Sequence, residues 1–155
     1  MRILFFVQNL LAGGMERRLL ELIRYLKRNE DYVMTLVIAE DDIHFKYARE
    51  LGIPIELIKR RNMRYDPTLF MRFYKFCKKF NPDLIHTWGR FATFNAIPAK
   101  LLCKKPLLSN LINNAKIDFR PKSLDKVQHK FGLFFADIIL SNSEAGLRAY
   151  KINSP

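Results

Sequence analysis

Apolar positions in this chain alternate between two patterns. Short unbroken runs give way to stretches in which apolar residues recur every three or four positions. Arg2 to Val7 is such a run, with the length and composition of a strand covered on both faces. After Gly13-Gly14, Leu19, Ile23 and Leu26 fall at helical spacing, and Arg17, Arg18, Glu21, Arg24, Lys27 and Arg28 fill much of the remaining surface. Tyr32 to Ala39 predicts a second strand. Asp41-Asp42 can start a short helix ending near Gly52, and Pro54 to Ile58 reads as a third strand. The basic, turn-like stretch Lys59 to Pro67 leads into a helix whose apolar stripe is Leu69/Phe70, Phe73, Phe76/Cys77 and Phe80, and Asn81-Pro82 stops it. Asp83 to Trp88 is a strand, Phe91 to Cys103 a helix, Pro106 to Ile112 a strand, and Asn113 to Ser123 a polar loop. Leu124 to Phe135 predicts a helix, Asp137 to Leu140 a strand, and Glu144 to Tyr150 a last helix that Asn142 or Ser143 can cap.

Strands and helices joined by short links imply right-handed crossovers and a parallel sheet. The expected fold is therefore α/β, a Rossmann-like doubly wound parallel sheet of about six strands. A length of 155 residues suits one domain with a full core. The final segment ends without further punctuation, so the chain is expected to be one domain of a longer polypeptide.

The hydrophobic fraction of 49% excludes a disordered chain. No apolar run approaches the ~20 residues needed to span a bilayer, and Ile3 to Val7 is too short for a signal peptide core. A cytoplasmic location is the expectation. Cys77 and Cys103 both fall in predicted helices, outside any C-x-x-C or Cys/His cluster, and are expected to be buried free thiols rather than a disulfide or metal site. The net charge of +12 needs an account. It concentrates at Lys59, Arg60, Arg61 and Arg64, at Arg72, Lys75, Lys78 and Lys79, and at Lys100, Lys104 and Lys105. Such a surface suits nucleic acid, anionic lipid or another polyanion, or serves solubility alone.

In doubly wound sheets, ligands bind beyond the carboxyl ends of the strands at the switch point. The strand order 3-2-1-4-5-6 would bring the Leu11–Gly14 loop beside His86-Thr87-Trp88-Gly89-Arg90, with Asn113, Asn114 and Arg120 next to them. A glycine turn into a helix directs free N–H groups and the positive end of the helix at a phosphate, although Gly13-Gly14 is also explained as a tight turn. His86 stands at a strand's C-terminal end, where a histidine can act in catalysis, although a lone histidine is also explained as structural. Trp88 can stack on a sugar or base or cover the sheet edge, and Arg90 and Arg120 can pair with phosphate. Glu16 reads as a favourable charge in the first helical turn. His44 and His129 fall on predicted helices as surface or packing residues. The G-x-G-x-x-G fingerprint is absent despite Glu40 after the second strand, which disfavours a nicotinamide or flavin enzyme or a stand-alone small-molecule Rossmann domain. A P-loop is absent too.

Three segments carry a family resemblance. GGMERRLLELIRYL, DLIHTWGRFATFNAIPAKLL and ADIILSNSEAGLRAY resemble, in order, the opening, the fourth-strand segment and the close of the first half of retaining GT-B glycosyltransferases of family 4. The resemblance implies that residues 1–155 form the N-terminal, acceptor-side domain, and that a C-terminal donor-binding domain carrying an E-x7-E motif is absent from this chain. It implies transfer of a sugar from a nucleotide-sugar to a polysaccharide or lipid-linked acceptor by a half that is inactive alone. It places Gly13 and Gly14 in the donor phosphate loop, and His86, Trp88, Arg90, Asn113, Asn114, Arg120 and Glu144 around the acceptor cleft. Many members read H-x-H after the fourth strand, whereas here Trp88 takes the second position. Related members often have an arginine where Asn113 or Asn114 stands. No metal or cofactor is expected beyond the nucleotide-sugar substrate. The basic patches with interleaved Phe then suit peripheral contact with an anionic membrane, and no specific nucleic acid is expected. The alternative is a non-enzymatic basic α/β module that binds nucleic acid or another polyanion, although no recognition helix or KH-type loop is present.

Overall fold

The computed structural model describes residues 1–61, 66–112 and 123–144; for residues 111, 112 and 123–126 it gives the backbone alone. The chain runs β1 (Arg2–Val7), α1 (Gly14–Leu26), β2 (Val33–Ile38), a 3-10 helix (Lys46–Leu51), β3 (Ile55–Leu57), α2 (Thr68–Phe80), β4 (Leu84–Trp88), α3 (Arg90–Cys103), β5 (Leu107–Ile112), α4 (Ser123–Phe135) and β6 (Ile138–Ser141). The strands form one parallel six-stranded sheet in the order β3-β2-β1-β4-β5-β6. This is the doubly wound Rossmann-like sheet expected from the alternation, with the expected strand order. The helix predicted over Glu144–Tyr150 lies, beyond Glu144, outside the described residues.

β1 is buried on both sides, and its alternation builds two cores. Ile3, Phe5 and Val7 join Leu19, Leu20 and Ile23 of α1, together with Met34, Leu36, Ile38 and Trp88. Leu4 and Phe6 join Leu69, Phe73 and Cys77 of α2, with Ala92, Ala96 and Ala99 of α3. Small residues along α3 let it lie close to the sheet, and α2, α3 and α4 pack side by side on this second face. Phe6 stacks on Phe73 at 4.3 Å between ring centroids. Each of these helices returns the chain between parallel strands, so the three run in the same direction.

One expected element is wrong. The helix from Asp41-Asp42 to Gly52 is only the 3-10 turn Lys46–Leu51, which ends on Gly52 at φ 67°. Residues 42–44 are extended instead. The Leu10 N–H donates to the Asp42 carbonyl at 2.9 Å and the His44 N–H to the Leu10 carbonyl at 3.0 Å, so the loop after β1 captures this segment. His44 is therefore exposed on an extended stretch rather than a helix. The thiols are free as expected, but only Cys77 is buried and Cys103 is half-buried. Burial, then the neighbouring Cys103, pushes the Cys77 thiol up to about 12, so it stays protonated and unreactive.

Several of the basic residues have structural partners. Asp66 accepts the N–H groups of Arg61 and Thr68 at 2.9 Å each, takes the Thr68 hydroxyl, and pairs with Arg72 at the start of α2. Burial raises this carboxyl, but the hydrogen bonds and Arg72 outweigh burial and hold it at about 2. Lys100 donates to Asp137 at 2.7 Å, and Arg60 pairs with Glu40 at 3.1 Å. These cations belong to the fold before they belong to any ligand.

Candidate functional site

The carboxyl ends of β1 and β4 lie side by side, with Val7 opposite Trp88. The Gly13-Gly14 turn and the end of β4 therefore meet, as the switch-point geometry requires. Gly89, at φ 84°, sits so close to Met15 that an added Cβ would lie 3.5 Å from both its sulfur and its methyl group. Only glycine adopts that backbone readily. It turns the chain sharply from β4 into α3, and Arg90 opens that helix.

Gly13 is the N-cap of α1, with no side-chain cap. The Glu16 carboxylate folds back over it, and a Cβ at Gly13 would collide with that carboxylate, whereas Gly14 faces open space. Glu16 thus does more than neutralise the first turn, because it covers the backbone that a phosphate would approach.

His86 and Trp88 point to the α1 side of the sheet and are both 5% exposed. The His86 ring lies between Phe5, 5.3 Å away, and Trp88, 5.2 Å away. Trp88 therefore covers the end of the sheet rather than standing free in solvent. Burial alone lowers the His86 imidazole to about 4, so it is neutral near pH 7. Its Nε2 and the Trp88 Nε1 are buried and have no hydrogen-bond partner among the described residues. Two buried, unsatisfied ring nitrogens so close together are uncommon, because each loses its water without compensation.

On the opposite face of β4, Thr87, Thr93 and Ser109 form a closed hydroxyl cluster, with Thr93 bonded at 2.9 Å to Thr87 and 2.6 Å to Ser109. It ties α3 to β4 and β5 and is internally satisfied. Glu40 provides a second polar centre. It accepts from Gln8 Nε2 at 3.0 Å and Asn9 Nδ2 at 2.8 Å while pairing with Arg60, whose guanidinium lies over Phe91. Glu40, just after β2, is thus already engaged by three side chains. Gln8 and Asn9 were not singled out in the sequence, and Arg60 only as part of a basic cluster. The register Val7 opposite Ile38 was the signal, since it carries Gln8 and Asn9 alongside Glu40.

Burial first, then the charge of Arg90, lowers the His129 imidazole on α4. Glu144 is exposed at the end of the described chain. Asn113, Asn114 and Arg120 lie outside the described residues. The structure therefore brings Gly13, His86, Trp88 and Arg90 to one end of the sheet. Among the described residues, no group of three His, Cys, Asp or Glu side chains is placed to hold a metal, and no helix is long and apolar enough to cross a membrane.

The family model for Glycosyltransferase Family 4 matches residues 12–150. The chain belongs to glycosyltransferase family 4. Its fold recurs in solved structures at low identity. HepE of Anabaena, crystallised with UDP and glucose, is 20% identical with a TM-score of 0.72 over 97% of this chain and 40% of its own. The lipopolysaccharide outer core galactosyltransferase WaaB is 18% identical, with the same TM-score, over 97% of this chain and 42% of its own. The UDP-GlcNAc 2-epimerase of Neisseria meningitidis, bound to UDP-GlcNAc, is 13% identical with a TM-score of 0.71 over 96% of this chain and 42% of its own. The likenesses show the GT-B type of fold, which also serves an epimerase, so fold alone does not decide the reaction. No curated protein sequence matches. This family 4 chain spans about 40% of the length of the solved relatives.

Proposed function

We propose that this chain is the acceptor-binding half of a retaining glycosyltransferase. In this reading a sugar passes from a nucleotide-sugar to a polysaccharide or lipid-linked acceptor at the cytoplasmic face of an anionic membrane. The observation that carries it is the pair of buried nitrogens, His86 Nε2 and Trp88 Nε1, that have no partner among the described residues, at the carboxyl end of β4 in a family 4 chain. Hydroxyl groups of a sugar can satisfy both. A neutral imidazole can exchange a hydrogen bond with an acceptor hydroxyl without carrying charge into the site.

Donor phosphates would approach the N-terminus of α1 from the Gly14 side of the turn, which faces open space, since the Glu16 carboxylate covers Gly13. Arg90 lies at the same end of the sheet and supplies positive charge. HepE holds UDP and glucose, which supports a nucleotide-sugar as donor. The donor would sit mainly on a second, C-terminal domain of the same polypeptide. In a front-face route of retaining transfer, the departing phosphate would assist deprotonation of the acceptor. His86 would then orient the acceptor rather than act as the base, which accommodates tryptophan at position 88.

This division of labour predicts that residues 1–155 alone transfer no sugar. Incubated with UDP-glucose and octyl glucoside, the chain should release no UDP and form no new glycoside by mass spectrometry. Steady turnover by this chain would overturn the assignment of catalysis to two halves.

A further inference from the structure

α4 has its polarity reversed. Gln128 faces inward at 7% exposed, while Val127, Phe131 and Phe134 face outward at 39%, 47% and 81%. These three fall at i, i+4 and i+7 and so form one stripe down the helix. The stripe continues sideways. Phe70 of α2 meets Phe94 of α3 at 5.4 Å, Phe94 meets Phe131 at 6.2 Å, and Phe131 stacks on Phe135, which packs against Phe134 at 5.0 Å. One connected layer of rings thus runs across three parallel helices. Met71 at its α2 end and Leu101 and Leu102 further along α3 add exposed apolar surface.

Positive charge dominates around this layer: the acidic residues of α4 and its end are Asp125 and Asp137, and Asp137 is paired with Lys100. α2 and α3 contain no acidic residue, while Lys75, Lys78 and Lys79 of α2, Lys104 after α3 and Lys130 of α4 are exposed. Exposed aromatic rings ringed by lysines match an anionic bilayer. The rings settle among headgroups and upper acyl chains, and the ammonium groups reach the lipid phosphates. A protein partner would more often meet an apolar patch with charges of both signs at its rim.

We infer that the outer face of α2, α3 and α4 is a membrane-docking surface that inserts Phe131 and Phe134 into an anionic phospholipid bilayer. This places the chain flat against the lipid through its helical face, with the sheet ends and His86 opening along the membrane plane. The inference rests on the reading of the chain as working beside a membrane-held acceptor, but it concerns lipid binding alone, and its test uses neither sugar nor nucleotide.

The test is co-sedimentation of the 155-residue chain with vesicles of phosphatidylcholine containing a quarter phosphatidylglycerol, compared with pure phosphatidylcholine. Binding is expected only to the anionic vesicles, weakening as salt is raised. Phe134→Ser should lower the partition constant about tenfold, and Lys130→Gln about fivefold. Both side chains are exposed, so circular dichroism should match the parent chain. Equal binding by the parent and Phe134→Ser chains would overturn the inference. So would light scattering that shows a dimer which Phe134→Ser dissolves, since the stripe would then be covered by a second copy. Vesicle binding of the expected kind, together with sugar-silent Trp88, would keep the docking surface and remove the acceptor site.

Discussion

Replacing Phe73 by Ala is expected to lower the unfolding free energy by about 4 kcal/mol. Phe73 is fully buried at the centre of the face formed by α2, α3 and the sheet, and its ring stacks on Phe6. Truncation removes the transfer free energy of the ring and leaves a cavity between α2 and β1, which the small residues of α3 cannot fill. A domain of this size has about twice that stability in total, so urea unfolding should show a midpoint cut by about half with an unchanged slope. A loss below about 1 kcal/mol would mean that α2 does not seal this core.

Acid is expected to destabilise the fold over a window set by His86. In the folded chain its imidazole is lowered to about 4 by burial, whereas an unfolded histidine titrates near 6.5. Above that value both states are neutral and His86 has no effect. As pH falls from about 6.5 toward 4, the unfolded chain takes up a proton that the folded chain refuses. Stability therefore falls by about 3 kcal/mol across the window. His129, also lowered by burial, acts in the same direction. Asp66 is still ionised here and loses its contribution only as pH drops from about 4 toward 2. Denaturation curves of the parent and His86→Gln chains at pH 7 and pH 4.5 should converge in acid. Equal acid sensitivity of the two would show that His86 is solvated.

The sheet was readable because its strands are continuous apolar runs. Burial on both faces, the mark of a parallel sheet, needs no partner information to recognise. The segment at 42–44 was not, because its extended form depends on the Leu10 loop, which lies far away in sequence. Gly13, His86 and Trp88 were readable as residues at strand ends. Their environment was not, since the stacking of His86 between Phe5 and Trp88 comes from the β1–β4 register. The polarity of α4 was least accessible. Its periodicity marks an apolar stripe, and only packing against α3 shows that much of that stripe faces outward while Gln128 is buried.

Trp88 is the only tryptophan in the chain, so its emission reports the candidate acceptor site directly. The decisive measurement is fluorescence titration at physiological salt with octyl glucoside, octyl galactoside and octyl N-acetylglucosaminide below their micelle concentrations, and with a thymidine oligonucleotide. A saturable change with at least one glycoside, abolished by His86→Ala and absent with the oligonucleotide, is the predicted result. A response to the oligonucleotide alone, falling steeply with salt, would contradict the sugar-binding account and make this end of the sheet a polyanion site.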